Sequence, residues 1–325
     1  MNTVKSKDNR SHNLLKRIFT DQRFYLVVII ILLIIIAGSL NSNFLSVSNF
    51  LTVFQQISVL GVVTASFSLL LISGGIDLSI GKIMSFQGSL MAVLAIQNNI
   101  NIWLTVGIIL LVGVLAGALN GVIISLTKTM PLIITLGTSF IFSGLSLFVS
   151  KGRFMSLDGK LDVIGRLKIA EIPVSIFIML LFMFIAHIVL NKLRYGRRIV
   201  ALGGNEENAF LSGINTKLYK ISVYALNGLF AGFATILLVA RLNSITASVG
   251  DNYTMQALAA AVMGGVMLDG GYGTISGALL GCILMGIISN AMNVVGVNAH
   301  LQVIVTGVII VVAVVISNLS KLKKK

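Results

Sequence analysis

Charged side chains are scarce in this sequence: Asp, Glu, Lys and Arg together make up 10% of its 325 residues. A soluble domain of average composition has about 25% charged residues. Hydrophobic residues account for 56% of the chain, and the mean hydropathy is +1.00. Because so few charges cannot cover a water-facing surface, much of the outer surface must face lipid. The composition therefore predicts an integral membrane protein.

Residues that support disulfides or catalysis are also rare. The single cysteine, Cys282, excludes an intrachain disulfide framework. The three histidines (His12, His187 and His300) lie far apart and lack metal-ligand spacing. No serine occupies a Gly-x-Ser-x-Gly elbow. A membrane enzyme is therefore the least favoured class, and we expect no cofactor and no metal.

The net charge of +14 has a distribution typical of membrane proteins. Its basic residues lie in tails and loops between apolar runs, as the positive-inside rule expects. No basic helix has the interleaved aromatic residues that suit a nucleic-acid groove. We therefore expect a lipid bilayer around the protein and no nucleic acid as a partner.

Long apolar runs dominate the rest of the chain. A transmembrane helix needs about 20 mostly apolar residues. The sequence predicts an all-α, polytopic fold with about ten such helices. The runs lie at 24–40, 51–73, 77–96, 102–126, 131–149, 172–190, 218–240, 254–269, 271–294 and 300–318. The first run is interpreted as a retained helix, because its basic lead is long and no small-x-small cleavage motif follows it.

The basic tails predict the orientation of the chain. Both termini are expected in the cytoplasm, which requires an even number of spans. The chain then divides into a tail at 1–23, a single transmembrane domain at 24–318 and a tail at 319–325. Within the domain, the loop 191–217 would be cytoplasmic. The loop 150–171 would face outward despite its basic residues, an exception to the rule. The residues behind this orientation are Lys5, Lys7, Arg10, Lys16, Arg17, Arg23, Lys321, Lys323, Lys324 and Lys325.

Glycines recur at four-residue spacing in several spans. Small residues let helix backbones approach closely in lipid, so these runs predict tight helix contacts. They carry no information about a substrate. The runs are Gly113, Gly117 and Gly121; Gly228 and Gly232; and Gly273, Gly277 and Gly281.

The segment from Ser73 to Lys82 interrupts the apolar pattern. Gly74 and Gly75 favour a helix break, and Asp77 is one of few acids near a span. Irregular backbone at membrane depth is tolerated where protein or a wet cavity covers it, and an intramembrane acid indicates function. Alternatively, Asp77 caps a helix that starts at Leu78. The two roles are compatible. The pattern D-x-x-x-G-x-I recurs at 77–83 and 269–275, which leaves an internal repeat as an open alternative to chance.

No nucleotide-binding loop accompanies these glycines. The loop needs a glycine five positions before its Gly-Lys pair and a Ser or Thr after it. Around Gly81 and Lys82 those places hold Ile76 and Ile83. If ATP drives this protein, a partner must bind it.

The loop 191–217 contains a predicted short helix at 205–213. Asn205 is a favoured N-cap, Glu206 and Glu207 suit the first turn, and Gly213 suits the position after the C-cap. Phe210 and Leu211 would be exposed. The helix is therefore interpreted as a docking surface, with a helix lying on the membrane as the alternative.

Several motifs in this order resemble the permease subunit of bacterial ATP-binding-cassette (ABC) importers for monosaccharides, of the ribose, xylose and galactose type. The matching motifs are Ile72–Gly81, Asn120-Gly121 with Pro131 and Thr135–Thr138, Gly196–Arg198 with Ala201–Glu206 and Ser212–Asn215, Ala259–Gly265, and Gly270–Thr274. The resemblance spans nearly the whole chain.

The resemblance implies a function and two sets of residues. A solute pathway at the helix break would use Ser73, Gly74, Gly75, Asp77, Ser79, Gly81, Asn120, Thr135 and Thr138. A surface that couples to the ATPase would use Arg197, Arg198, Asn205, Glu206, Glu207, Ala209, Ser212 and Gly213. The chain would be a multi-pass protein of the bacterial cell membrane without ATPase activity of its own.

The resemblance also implies partners: a cytoplasmic ABC ATPase, an extracytoplasmic sugar-binding protein, and a second copy or a homologous permease. The solute would be ribose or a related pentose or hexose. Autoinducer-2 or another small polar solute is an alternative, as is transport driven by an ion gradient. One departure stands out. The family usually has Tyr-Glu-x-Asp where this chain has Tyr253, Thr254, Met255 and Gln256, so both acids are missing.

Overall fold

The structure, a computed structural model, describes residues 22–322, so the basic residues of the first 20 positions and Lys323–Lys325 lie outside the described part. The fold is almost entirely helical. Its helices are α1 (Gln22–Leu40), α2 (Val47–Ile72), α3 (Ile80–Ala92), α4 (Ile102–Thr127), α5 (Pro131–Ser150), α6 (Asp162–Gly165), α7 (Val174–Asn191), α8 (Arg194–Gly204), α9 (Glu206–Leu211), α10 (Thr216–Leu242), α11 (Tyr253–Met263), α12 (Ile275–Val294) and α13 (Ala299–Leu322). A 3₁₀ turn, Ser42–Leu45, precedes α2, and a π turn, Val93–Gln97, extends α3.

Among the described residues, eight helices are long and apolar enough to cross a membrane: α1, α2, α3 with its π turn, α4, α5, α7, α10 and α12. They coincide with eight predicted spans. The other two predicted spans fall on shorter apolar stretches, Tyr253–Met263 and His300–Val312. The predicted extent 254–269 is wrong, since α11 ends at Met263. There Gly265 takes a left-handed φ of +86°, which stops the helix.

Helix α2 lies at the centre of the bundle. Its residues from Ile57 to Ile72 are buried, and it packs against α7, α10, α11 and α12. By contrast, α1, α4 and α5 expose large apolar side chains such as Ile35, Leu115 and Phe148. An apolar outer surface with an equally apolar interior is what a lipid solvent permits.

Several glycines of the predicted runs lie at close helix contacts, whereas Gly273, predicted within the ninth span, lies before α12, which begins at Ile275. On α4, Gly113 faces Gly228 of α10, and Gly117 faces the carbonyl of Tyr224. On α12, Gly281 faces the carbonyl of Ala260 in α11. A Cβ at any of these glycines would overlap the facing backbone. The α4–α10 and α11–α12 packing therefore depends on glycine at these positions.

Two structured ends close the bundle. At one end β1 (Met155–Ser156) pairs antiparallel with β4 (Ser244–Ile245), beside a hairpin of β2 (Lys168–Ile169) and β3 (Ile172–Pro173). At the other end lie α8 and α9. Helix α10 runs from one end to the other, about 40 Å at 1.5 Å per residue.

Candidate solute pathway and docking surface

The predicted break between α2 and α3 centres on a buried acid. Asp77 is fully buried. Its Oδ1 accepts hydrogen bonds from the Ser79 amide (2.9 Å) and the Ser79 hydroxyl (2.5 Å). The prediction that Asp77 caps a helix starting at Leu78 is wrong: α3 begins at Ile80, with Ser79 as its N-cap. Asp77 instead closes a turn, because the backbone amide that its carboxylate binds is that of Ser79, two residues on.

Asp77 also joins three helices through neutral polar side chains. Its Oδ2 accepts from Asn227 Nδ2 of α10 at 3.1 Å, and Asn227 Oδ1 accepts from the Ser66 hydroxyl of α2 at 2.9 Å. Asn120 Nδ2 of α4 donates to the Ser79 hydroxyl at 2.8 Å. All five side chains are buried. Such a connected network fixes the break relative to its neighbours.

The carbonyl of Ile76 provides a second anchor for the break. It accepts a hydrogen bond from the Tyr224 hydroxyl at 2.9 Å and a long one from Thr135 Oγ1 at 3.5 Å. Thr138, predicted beside Thr135 in the pathway, bonds only to the Thr135 carbonyl of its own helix. The structure therefore brings Thr135 to the break and leaves Thr138 outside it.

The break between α2 and α3 is the first break. It contacts a second break, the segment 264–274 between α11 and α12, and the C-terminal end of α8. Gly74 has a φ of +81°. A Cβ at this position would lie 3.5 Å from the Cα of Gly203. The Ile72 carbonyl accepts from the amide of Gly271 at 2.8 Å, within the segment between α11 and α12. Ser73 and Gly75 complete the turn that ends α2. The residues just before the 77–83 pattern thus lie beside the segment 269–275.

A second polar cluster ties α3 to the segment before α11. The Gly81 amide donates to Thr254 Oγ1 at 2.9 Å. Lys82 Nζ pairs with Asp251 Oδ2 at 2.5 Å, and the Ser85 hydroxyl donates to Asp251 Oδ1 at 2.8 Å. Thr254, one of the two positions that depart from the Tyr-Glu-x-Asp pattern, therefore supplies a neutral acceptor for the first turn of α3.

The predicted helix in the loop 191–217 is confirmed as α9. Asn205 is its N-cap and accepts from the Asn208 amide at 2.8 Å. Ala209 is buried, and Glu206 pairs with Lys220 of α10 at 2.6 Å. Ser212 ends the helix, and Gly213 follows with a φ of +80°.

Helices α8 and α9 present an exposed mixed surface, here called the α8–α9 surface. Phe210 and Leu211 are 65% and 75% exposed. Arg197 and Glu207 are also exposed. Arg198 lies over the Tyr219 ring, 5.6 Å from its centroid, and donates to the Tyr219 hydroxyl. Exposed apolar side chains ringed by charges suit a protein contact.

A polar cavity of about 280 Å³ lies between α2, α10, α11 and α12. It was not predicted from the sequence, although a lone arginine at the end of an apolar span was a usable signal. The polar residues that line it are Gln56, Arg241, Tyr253, Gln256, Ser289 and Asn293. Within residues 22–322, no group of His, Cys, Asp and Glu side chains has the arrangement of a metal site.

Comparison with known proteins places these features in a family. Residues 49–314 match the family described as branched-chain amino acid transport system / permease component. The ribose import permease protein of Haemophilus influenzae is 33% identical, covering 98% of this chain and 99% of the relative. That of Escherichia coli K12 is 34% identical (87% and 89%). The galactose/methyl galactoside import permease protein of Escherichia coli K12 is 32% identical (87% and 90%). No solved structure matches the chain.

Proposed function

The chain belongs to this family of transport-system permease components, and we propose that it is the membrane subunit of an ABC importer for ribose or a closely related monosaccharide. The observation that carries the proposal is the likeness to ribose import permeases over almost the full length. The buried break, the exposed α8–α9 surface and the polar cavity are the parts that such a subunit needs. The protein itself would hydrolyse nothing, and a partner would supply the ATP chemistry.

The α8–α9 surface would receive the ATPase at the cytoplasmic end of the bundle. Its mechanical link to the pathway is short. Gly203, at the end of α8, faces Gly74 of the first break, and Gly271 of the second break donates to Ile72. A shift of α8 on ATP binding therefore displaces both breaks directly.

The opposite end would face the extracytoplasmic binding protein. The paired strands β1 and β4 and the hairpin β2–β3 lie there. The polar cavity lies near the same end, because Arg241 lies in the last turn of α10 and Asn293 in the last turn of α12. Sugar released from the binding protein would enter there. A second permease copy or a homologous permease would complete the importer.

ATP-dependent uptake tests this proposal. The chain would be reconstituted in vesicles with an ABC ATPase and a ribose-binding protein from the same organism. Uptake of labelled ribose would be measured with ATP or a non-hydrolysable analogue. We expect uptake only with ATP and binding protein together. Uptake without ATP that collapses when an ionophore dissipates the ion gradients would overturn the proposal in favour of a secondary transporter.

A further inference from the structure

The polar cavity has one charged side chain among the described residues that line it, Arg241. The Nη1 of Arg241 is buried and has no hydrogen-bond partner. Tyr253 lines the same cavity, and its hydroxyl lies close to the guanidinium. No ion pair links Arg241 to an acid within residues 22–322. The cavity therefore carries an uncompensated positive charge.

Arg241 is half-buried, and its Nη1, shielded from solvent, gains free energy from an acceptor that reaches it. A guanidinium is built to bind a carboxylate through two parallel hydrogen bonds. Two acids inside the bundle are already engaged elsewhere. Asp77 is bonded to Ser79 and Asn227, and Asp251 is bonded to Lys82 and Ser85. An anionic group from the solute would satisfy the free Nη1.

The rest of the lining suits a polyhydroxylated solute. Gln56, Gln256 and Asn293 offer amides, which donate and accept, and Ser289 offers a hydroxyl. The volume of about 280 Å³ is near the lower end for small-molecule sites. Leu60 and Met285 add an apolar wall. A site with one cation, several neutral polar groups and an apolar wall has the chemistry of a sugar-acid site.

We propose that this cavity is a solute-binding site that prefers a monosaccharide bearing a carboxylate to its neutral counterpart. Arg241 would bind the carboxylate, while Gln56, Gln256 and Asn293 would bind the hydroxyl groups. The inference rests on the proposed importer function and narrows its substrate class. Gln256 sets the preference, because an acid at that position would neutralise Arg241 and repel a carboxylate.

Binding to the purified full-length permease in nanodiscs tests the preference. D-ribonate and D-ribose have the same carbon number and differ in charge, and their affinities are compared by isothermal titration calorimetry. We expect ribonate to bind at least about tenfold more tightly, because a hydrogen bond to a charged group is about twice as strong as a neutral one. Raising the salt concentration should weaken ribonate binding and leave ribose binding nearly unchanged.

Variants of Gln256 and Arg241, with a matched control at Asn98, place the effect at the cavity. Gln256→Glu should reduce ribonate affinity at least about tenfold and bring it to or below that of ribose. Asn98→Asp adds the same charge in the exposed loop between α3 and α4, outside the cavity, and should preserve the preference. Arg241→Lys should retain a preference that Arg241→Gln loses. If Arg241→Gln fails to fold, Gln256→Glu decides the question.

Equal binding of the two solutes by the wild-type protein would overturn the charge preference. So would binding of neither solute at millimolar concentration, the result expected if a second permease copy fills the cavity. Both results leave ATP-driven uptake of ribose intact as support for the importer. Conversely, ATP-independent uptake would overturn the importer while a measured preference for ribonate stands.

Discussion

Asp77 illustrates how a membrane protein keeps an acid at the level of its helices. Its carboxylate is surrounded by donors from Ser79 and Asn227, and Ser66 and Asn120 extend the network to α2 and α4. None of these four partners is charged. Neutral donors supply hydrogen bonds without the cost of burying a second ion, so the acid can fix the break.

Replacing the acid should damage this network. Asp77→Asn removes one acceptor and turns an amide NH₂ toward a donor of Ser79 or Asn227. We expect it to destabilise the protein by about 1–3 kcal/mol and to lower uptake. Asp77→Ala should lower the yield of folded protein further. The readouts are thermal unfolding of the purified protein and ATP-driven uptake in vesicles.

A double-mutant cycle with Asn227→Ala provides the control. If the Asp77–Asn227 contact stabilises the fold, the double mutant should lose less free energy of unfolding than the two single mutants lose in sum. The difference should be about 0.5–3 kcal/mol. Additive costs, or unaltered uptake in both Asp77 variants, would show that the acid is incidental to the break.

At the scale of elements, α8 and α9 differ from the membrane-spanning helices in presenting charged side chains together with exposed apolar ones. Helix α9 is too short to be stable alone. It is held by the Asn205 cap, by buried Ala209 and by the Glu206–Lys220 pair. The exposed Phe210 and Leu211 have no role in that support, which leaves them for a partner.

Changes on α9 should therefore weaken ATPase docking without unfolding the permease. We expect Glu207→Lys and Gly213→Trp to reduce co-purification of the ATPase at least about tenfold, as for central contact residues. Gly213 has a left-handed φ, so Gly213→Ala controls for backbone strain without added bulk. Asn98→Lys, in the loop between α3 and α4, controls for added charge. A complex that survives both α9 changes would contradict the assignment.

At the scale of the whole molecule, the bundle has two unlike ends joined by α10. One carries the α8–α9 surface and the two breaks, and the other carries β1, β4 and the polar cavity. Under the proposed function, solute entry and ATP-driven movement would be separated by about the length of α10. The contacts of Gly74 and Gly271 would then place both breaks next to the end that the ATPase moves.

The orientation of these ends can be measured with single cysteines. The native Cys282 is fully buried, so it should react poorly with a membrane-impermeant thiol reagent. We expect Phe210→Cys to react only when the cytoplasmic face is opened, and Asn98→Cys to react in intact cells. Both native side chains are exposed. The reverse pattern would invert the topology predicted from the basic tails.

The sequence by itself determined the features that depend on local chemistry. Long apolar runs predicted the helices, because a helix satisfies its backbone within four residues. Glycines predicted the close contacts and the break at Gly74, and Asn205 with Gly213 predicted α9. The length of the span at 254–269 was overestimated, since apolar composition does not reveal where Gly264 and Gly265 end a helix.

Only the tertiary structure decided which distant residues meet. Asp77 and Asn227 are 150 positions apart, and Lys82 and Asp251 are 169 positions apart. Helical periodicity gives the face on which a residue lies but not the helix that covers it, because packing between apolar helices is set by shape rather than by composition. The cavity at Arg241 could not be predicted for the same reason. Its lining comes from four helices, and the sequence of each helix alone does not show that the four surround this charge.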